Sequence, residues 1–481
     1  MRRLLDKYKS LSAPVKSSVW FIICNILQKG ISFITVPIFT RLLTTEQYGI
    51  FSVYNSWYSI ISILATLNLS AGVYNNCLTK YPNERDKVTS SLQSLSTLIT
   101  IILFVIYIVN FNFWNSTLNL STLFVVCMFL EALFMPAYSF WVVKKRFDYK
   151  YIGIIVVSLI ISLGSPILGI VAVLSTEYKA EARVISFVLV QVIVGLVFYI
   201  YNIYKGKTVY SKSIWTFALK FNLPLIPHYL SMMILNQSDR IMISMMDSNS
   251  SAAIYSVAYA VSTIMIVVTN AINSSFIPYT YKALKSKCYD DIRKTSDFLI
   301  LIVGAISIII MAFGPEIIWI VGGEEYYSAI WVIPPIASSV FFTFLYPLFA
   351  NIEFYYEKTL GIMIASCIGA GANILLNYWF INIFGFYAAG YTTLFCYILF
   401  SFVHYFFQKR IISKNIKKKY DIYNMKLIVL ISVLNIVIMI GMTLVYNNFI
   451  VRYSVLAAIF IVMFIERKKI ISQFKKLRST K

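Results

Sequence analysis

Residues 35–58 read TVPIFTRLLTTEQYGIFSVYNSWY: one long apolar run ends in a charged turn and the next begins at once. The tail of this stretch returns later in the chain, where Ile254, Tyr255, Ser256 and Val257 repeat Ile50, Phe51, Ser52 and Val53 at an offset of 204 residues. An arginine stands at the mouth of a helix before each copy, Arg41 before LLTTEQYG and Arg240 before IMISMMDSN. Their offset is 199, and the difference corresponds to a longer turn. Two halves of roughly 200 residues are the pattern of a transporter built from structural repeats.

Composition sets the class. Of the 481 residues, 59% are apolar and 13% charged, against about 25% charged in soluble domains, so the chain reads as an all-α polytopic membrane protein. The net charge of +22 does not imply nucleic acid, which needs a basic face on a soluble domain. Here the lysines lie in short runs between apolar blocks, and topology accounts for them.

A helix needs roughly 20 apolar residues to cross about 30 Å of hydrocarbon. Fourteen stretches qualify as candidates: 17–40, 48–74, 89–111, 118–143, 151–174, 183–204, 214–235, 250–277, 298–320, 328–351, 359–382, 386–407, 427–446 and 448–465. The seventh is broken by Pro224 and Pro227, and the last two form a hairpin around Asn447. With the N-terminus inside, the inner segments hold 36 of the 42 Lys and Arg residues. That is the enrichment cytoplasmic loops show, and it predicts fourteen helices with both ends in the cytoplasm. The start MRRLLDKYK resembles a signal-peptide n-region, but the apolar stretch after it is too long and lacks a cleavage site, so it is expected to remain as the first helix.

Little in the chain suggests an enzyme. No outer loop exceeds about a dozen residues, there is no GxxxxGK phosphate loop, and neither His228 nor His404 neighbours a Cys or Ser nucleophile motif. The six cysteines form no CxxC, so no metal site, disulfide framework or cofactor is expected. His404, beside QKR at a helix end, reads as interfacial. His228 follows Pro227 in the broken helix, where unwound backbone must face protein or water, and is a candidate lumen residue.

Ionisable residues inside the apolar segments carry the functional signal, because each costs about 2.5 to 3.5 kcal/mol at a helix centre unless paired or hydrated. Glu131 lies mid-way along the fourth candidate helix and reads either as a protonated hydrogen-bonding link between helices or as a lumen or ion-coupling group. Lys29 sits too deep in the first helix to snorkel comfortably, which favours a wet cavity. Arg41, Arg183 and Arg240 stand near outer helix ends against the charge rule, so each is expected to meet a local acid (Glu46, Glu181, Asp239) or a ligand; a local pair is expected for Arg183 and Arg240. Proline removes a backbone hydrogen bond and kinks a helix. Pro37 of the first helix thus has its counterpart in Pro224 or Pro227 of the seventh, marking hinges at corresponding places of the two halves.

Three stretches carry a family resemblance: VPIFTRLLTTEQYGIFSV, FNLPLIPHYLSMMILNQSDRIMIS with the following AAIYSVAYA, and GAGANILLNYWFINIFGFYAAGYTT. They resemble the Wzx-type flippases of bacterial polysaccharide assembly, which share a superfamily with the lipid II flippases and the MATE drug exporters. The resemblance implies two pseudo-symmetric six-helix lobes, 1–210 and 211–410, around a V-shaped central cavity with alternating access. Residues 411–481 would add two helices and a basic cytoplasmic tail. It further implies a bacterial inner-membrane protein that moves an undecaprenyl-diphosphate-linked oligosaccharide from the inner to the outer leaflet for capsule, O-antigen or exopolysaccharide assembly. The polysaccharide polymerase and chain-length machinery would be its partners. Cationic cavity residues would meet the diphosphate, and Lys29, Arg41 and Arg240 are the candidates here. A lipid II flippase and a MATE-like multidrug or cation antiporter are the alternatives, the latter disfavoured because its first helix is expected to carry a carboxylate where this one carries Lys29. A membrane polymerase or glycosyltransferase would want a substantial external loop.

Overall fold

A computed structural model describes residues 12–416 and 421–467. The described residues form helices and no strand, as expected where water is absent and each backbone N–H and C=O must be satisfied within its own segment. Among the described residues, eleven helices are long and apolar enough to cross a membrane. The stretches expected at 48–74, 214–235 and 448–465 are not among these eleven. They correspond to α2 (Thr45–Thr66), to α9 (Lys212–Asn222) with α10 (Ile226–Met246), and to the 17-residue α18 (Phe449–Ile465). The seventh stretch is therefore two helices. A 3-10 turn at Leu223–Leu225 joins them and carries Pro224, while Pro227 lies in the first turn of α10, where a missing N–H leaves no intrahelical bond unmade.

The opening stretch shows how the chain turns between helices. The first helix, α1 (Ala13–Leu42), contains Pro37 and ends at an extended Leu43. Thr44 Oγ1 then accepts from the Gln47 backbone N–H at 3.3 Å, and Gln47 Oε1 accepts from the Thr44 N–H at 3.0 Å. This reciprocal capping box satisfies two of the orphan donors at the start of α2 without water.

Contacts divide the chain into two compact units, Met1–Ile241 and Met242–Lys481. Within the first unit, α6 (Thr122–Phe147) packs most extensively on α8 (Lys179–Gly206). In turn α7 (Ile152–Leu174) packs on α8, and α2 and α4 (Arg85–Val109) pack on α6. Within the second unit, α14 (Ile333–Tyr355) packs most extensively on α16 (Tyr387–Asn415), with α15 (Thr359–Phe384) on α16 and α11 (Asn249–Lys285) and α12 (Tyr289–Ala312) on α14. The same pairing pattern thus occurs twice, as a duplicated helical unit requires.

Burial is inverted relative to a soluble helix. On α7 the apolar Ile152, Val156, Ile160, Leu163, Ile167, Val171 and Leu174 are exposed at three- and four-residue spacing, while Ser158, Ser165 and Gly169 are buried. Such an apolar outer stripe suits lipid, and small or polar residues suit helix–helix contact, where polar side chains serve as links. In the first unit Asn202 donates to Gln93 Oε1 at 2.8 Å and to the Ala137 carbonyl at 3.0 Å. In the second, Asn435 of α17 (Met425–Val445) donates to Ser307 Oγ at 3.1 Å and accepts from Ser338 Oγ at 2.5 Å. That buried amide fastens α17 to α12 and α14.

Basic segments are partly neutralised by acids of the adjoining turn: Arg85 pairs with Asp148 at 2.9 Å, and Lys144 pairs with Asp86. By the charge rule this face is expected on the cytoplasmic side. In a chain stripped of its native cysteines, a cysteine at Tyr149 is expected to label only from the cytoplasm and one at Glu325 only from outside. Labelling of both from one side would disprove that orientation.

Candidate functional site

The first unit encloses a cleft of about 1040 Å³ bounded by α1, the Ser70–Asn75 segment, α6, α7 and α8. Its polar wall is made by Asn25 and Gln28 of α1, Ser139 and Arg146 of α6, Ser162 of α7 and Gln191 of α8. Asn25 and Gln28 share a face because residues three apart are neighbours on a helix. The Tyr138 and Ser158 hydroxyls are 2.8 Å apart at its edge. Gln191 is buried, and its Oε1 makes no hydrogen bond among the described residues, so an acceptor stands ready at the cleft. Aromatic rings back the site: Trp141 and Phe198 lie 4.5 Å apart, with Tyr138 5.4 Å from Phe198.

Charge gives the cleft its sign. Arg146 is the only ionisable Arg, Lys, Asp or Glu among the described lining residues. Its guanidinium lies 5.0 Å from the Phe21 ring centroid, within cation–π range, a contact that uses none of its N–H donors in hydrogen bonds. A wall of amides, hydroxyls and aromatic faces with one guanidinium suits a sugar-rich anion. A cation would meet repulsion there.

Glu131 lies in the same unit, buried in α6. The Tyr54 hydroxyl donates to its Oε2 at 3.0 Å, and the Tyr58 side chain lies beside it. Both tyrosines project from α2 one turn apart, so a carboxyl at mid-helix meets phenol side chains rather than a cation. Further along α2, Ser56 donates to Gln237 Oε1 at 3.2 Å, and Arg240 donates to that same oxygen at 3.2 Å and to the Asn236 carbonyl at 2.8 Å. Arg240 is thus buried in a network of amides.

The sequence-derived candidates are not gathered at one point. Lys29 is exposed and adjoins Gln28, but it is not among the residues lining the cleft. Arg41, also exposed, donates to the Pro37 carbonyl at 2.7 Å, filling a hydrogen bond near the proline. Lys29 and Arg41 stand about 18 Å apart along the helix axis at about 1.5 Å per residue, so a single diphosphate meets one of them at a time. His228 is half-buried in α10.

Two expectations are corrected. Arg183 is buried, with its guanidinium 3.9 Å from the Phe39 ring and 4.0 Å from the Phe51 ring, not paired with Glu181; the ring faces stabilise the cation where a solvated acid would not reach. His404 is buried in the second unit against Glu353 and is not interfacial. Among the described residues no three His, Cys, Asp or Glu side chains gather as a metal site. Arg146 was hidden in the sequence by its run, KKR, which reads as a topology anchor.

An apolar-coated helical chain with a buried carboxyl and a polar interior cleft belongs to the class of multi-pass membrane transporters. Comparison with known proteins places it more closely: the chain belongs to the family described as Polysaccharide biosynthesis protein, whose pattern matches residues 15–283. The MatE family pattern also matches residues 224–379. A relative from Haemophilus influenzae (strain ATCC 51907 / DSM 11121 / KW20 / Rd), the Lsg locus putative protein 1, is 26% identical over 378 residues, which is 71% of this chain and 85% of that one. Among solved structures, the lipid II flippase MurJ in an inward closed conformation is similar with a TM-score of 0.69 at 15% identity, covering 94% of this chain and all of that one. An inward-facing MATE-family multidrug resistance transporter follows with a TM-score of 0.59 at 14% identity, covering 81% and 96%. A further transporter of the same superfamily, from Pyrococcus furiosus, has a TM-score of 0.56 at 13% identity, covering 84% and 97%. At these identities the solved structures establish the fold.

Proposed function

We propose that the chain is a flippase that carries an undecaprenyl-diphosphate-linked oligosaccharide from the inner to the outer leaflet of the bacterial plasma membrane, for capsule, O-antigen or exopolysaccharide assembly. The observation that carries this reading is the cleft of about 1040 Å³ with Arg146 as its one charge. Ligand pockets for drug-sized molecules run to roughly 300–1,000 Å³ and are mostly apolar; this one is as large as the largest of them, and its wall offers hydrogen bonds to sugar hydroxyls. A diphosphate loses hydration in hydrocarbon, and a guanidinium offers it charge-assisted hydrogen bonds.

On this reading the chain works as two six-helix lobes, 1–210 and 211–410, with residues 411–481 added, both termini cytoplasmic and alternating access. Pro37, Pro224 and Pro227 are its hinges. Lys29, Arg41 and Arg240 take the diphosphate at successive stages, while Glu131 and His228 act as coupling or lumen groups. The polymerase and chain-length machinery receive the product. The family supports a polysaccharide substrate over a drug cation, and the carboxylate-free cleft supports an anion.

The test is flipping of a purified lipid-linked repeat unit in proteoliposomes. Arg146→Gln is expected to weaken apparent substrate affinity roughly 10- to 100-fold, since hydrogen bonds to charged groups contribute about 1.5–3 kcal/mol. Lys29→Ala and Arg41→Ala are expected to slow flipping more than Lys150→Ala, with all variants at normal membrane levels. Native rates for all four variants would remove these cations from the site. Flipping of lipid II in preference to an oligosaccharide repeat unit, or export of cationic drugs, would overturn the substrate assignment.

A further inference from the structure

The second unit holds a buried acid–imidazole pair that the transport reading leaves unused. Glu353, two residues before the end of α14, and His404 of α16 have no solvent-exposed side-chain surface, and His404 Nδ1 lies 2.5 Å from Glu353 Oε1. Rings close over the imidazole: the Tyr346 and Phe400 centroids each lie 4.7 Å from it. Burying two polar groups among rings is costly unless they serve each other or something else. Their remaining atoms, His404 Nε2 and Glu353 Oε2, make no hydrogen bond among the described residues.

The buried carboxylate nevertheless borders a cavity. Glu353 forms part of the wall of a cavity of about 330 Å³, together with Glu357, Lys358, Arg410 and Lys414. Gly361 of α15 faces the free oxygen; a Cβ placed there would come within 2.7 Å of Glu353 Oε2 and 3.1 Å of Phe407. A side chain there would press on the acid, and glycine lets α15 approach the free oxygen this closely. The charged and titratable groups facing the pair are therefore Tyr346 on α14, Glu357 and Lys358 on the turn before α15, and Arg410 and Lys414 on α16. Tyr423, beside α14, donates its hydroxyl to the Leu348 carbonyl at 2.5 Å and is engaged there.

We propose that Glu353 and His404 form a proton-exchange site of the second unit, loaded and unloaded through the cavity rimmed by Lys358, Arg410 and Lys414. Two acceptor atoms suffice for a proton, whereas a metal ion needs four or more ligands, and the rim cations Lys358, Arg410 and Lys414 further disfavour a metal ion. In the unloaded state the His404 Nδ1–H donates to a Glu353 carboxylate, and the pair carries one negative charge. A hydronium ion in the cavity passes its proton to Oε2; one O–H bond of the hydronium breaks as the Oε2–H bond forms, a water molecule is released, and the pair becomes neutral. The rim cations then lose the charge that attracts them, which links the proton to the spacing of α14, α15 and α16.

The test needs no transported substrate. The purified full chain in lipid nanodiscs is stepped through pH, and proton uptake is read with an indicator dye. Wild type is expected to take up one proton more than Glu353→Gln. The double variant Arg410→Gln/Lys414→Gln, which alters only exposed side chains, is expected to keep that proton but bind it at higher pH, by about half a unit to one unit, because loss of nearby positive charge favours the protonated acid. Identical uptake by wild type and Glu353→Gln, or a rim variant whose midpoint is unmoved or falls, would overturn the proposal. Should Glu353→Gln fail to accumulate, the rim variant decides alone.

Discussion

Gly195→Leu is expected to abolish accumulation of folded protein, read as loss of the monodisperse peak when the fluorescently tagged chain is extracted from membranes. An ideal Cβ at Gly195 would lie 2.6 Å from the Phe134 carbonyl carbon and 2.7 Å from its oxygen. Those are backbone atoms of α6, so no rotamer change relieves the clash, and the helices must separate. This crossing joins the most extensive helix pair of the first unit, and without a hydrophobic force between helices in lipid such contacts depend on close approach of small residues. Overpacking in well-packed cores costs roughly 1–3 kcal/mol and more where backbone must move. Gly195→Ala is expected to retain part of the folded peak, and Gly441→Leu nearly all of it, since nothing lies within 4 Å of a Cβ at Gly441. Normal accumulation of Gly195→Leu would show that α6 and α8 are not held as described.

The contrast between Gly195 and Gly441 shows where the sequence stops being informative. Both are single glycines in apolar helices, and no periodicity separates the one at a crossing from the one with free space. What the bilayer dictates is legible: helices throughout, an apolar outer stripe, and basic runs at helix ends. The break at Pro224 is legible too, because proline chemistry is local. Partnerships across the chain are not. Glu131 stands out as a carboxyl in an apolar run, yet its partner Tyr54 is 77 residues away. The run Lys144, Lys145 and Arg146 reads as one anchor, but the three side chains go separate ways, to Asp86, over the Trp141 ring and to the cleft. His404 reads as interfacial from its neighbours Gln408, Lys409 and Arg410, and it is buried because α14 crosses α16 there. The guanidinium of Arg183 meets ring faces from two other helices, a contact no spacing rule describes.

Flipping is expected to accelerate strongly when an inside-negative potential is imposed, and this prediction follows from the sign of the substrate's charge. The sequence carries no GxxxxGK phosphate loop, and on the proposed function the driving force to test is the lipid gradient, an ion gradient or the potential. A diphosphate with roughly two negative charges moves outward from a negative interior. At about 2.3 kcal/mol per charge per 100 mV, two charges correspond to about 4.6 kcal/mol, or roughly three orders of magnitude in the leaflet ratio. That is an upper limit, because Arg146, Lys29 or Arg41 moving with the headgroup cancels part of the charge. Glu131 is the proposed coupling group for the competing route. Bonded to the Tyr54 hydroxyl with Tyr58 beside it, it would, on the proposed function, alternate between a carboxylate and its protonated acid. Glu131→Gln keeps the shape and an acceptor for a hydroxyl, so fold and substrate binding are expected to survive while dependence on an imposed proton gradient weakens. Glu131→Ala leaves the Tyr54 hydroxyl without its acceptor, at about 1–3 kcal/mol for a buried group, and is expected to lose folded protein as well. The deciding measurement imposes potential and ion gradients separately on proteoliposomes holding the purified lipid-linked repeat unit. A wild-type rate indifferent to potential and to both proton and sodium gradients would leave downhill equilibration alone and refute the coupling, whatever the substrate.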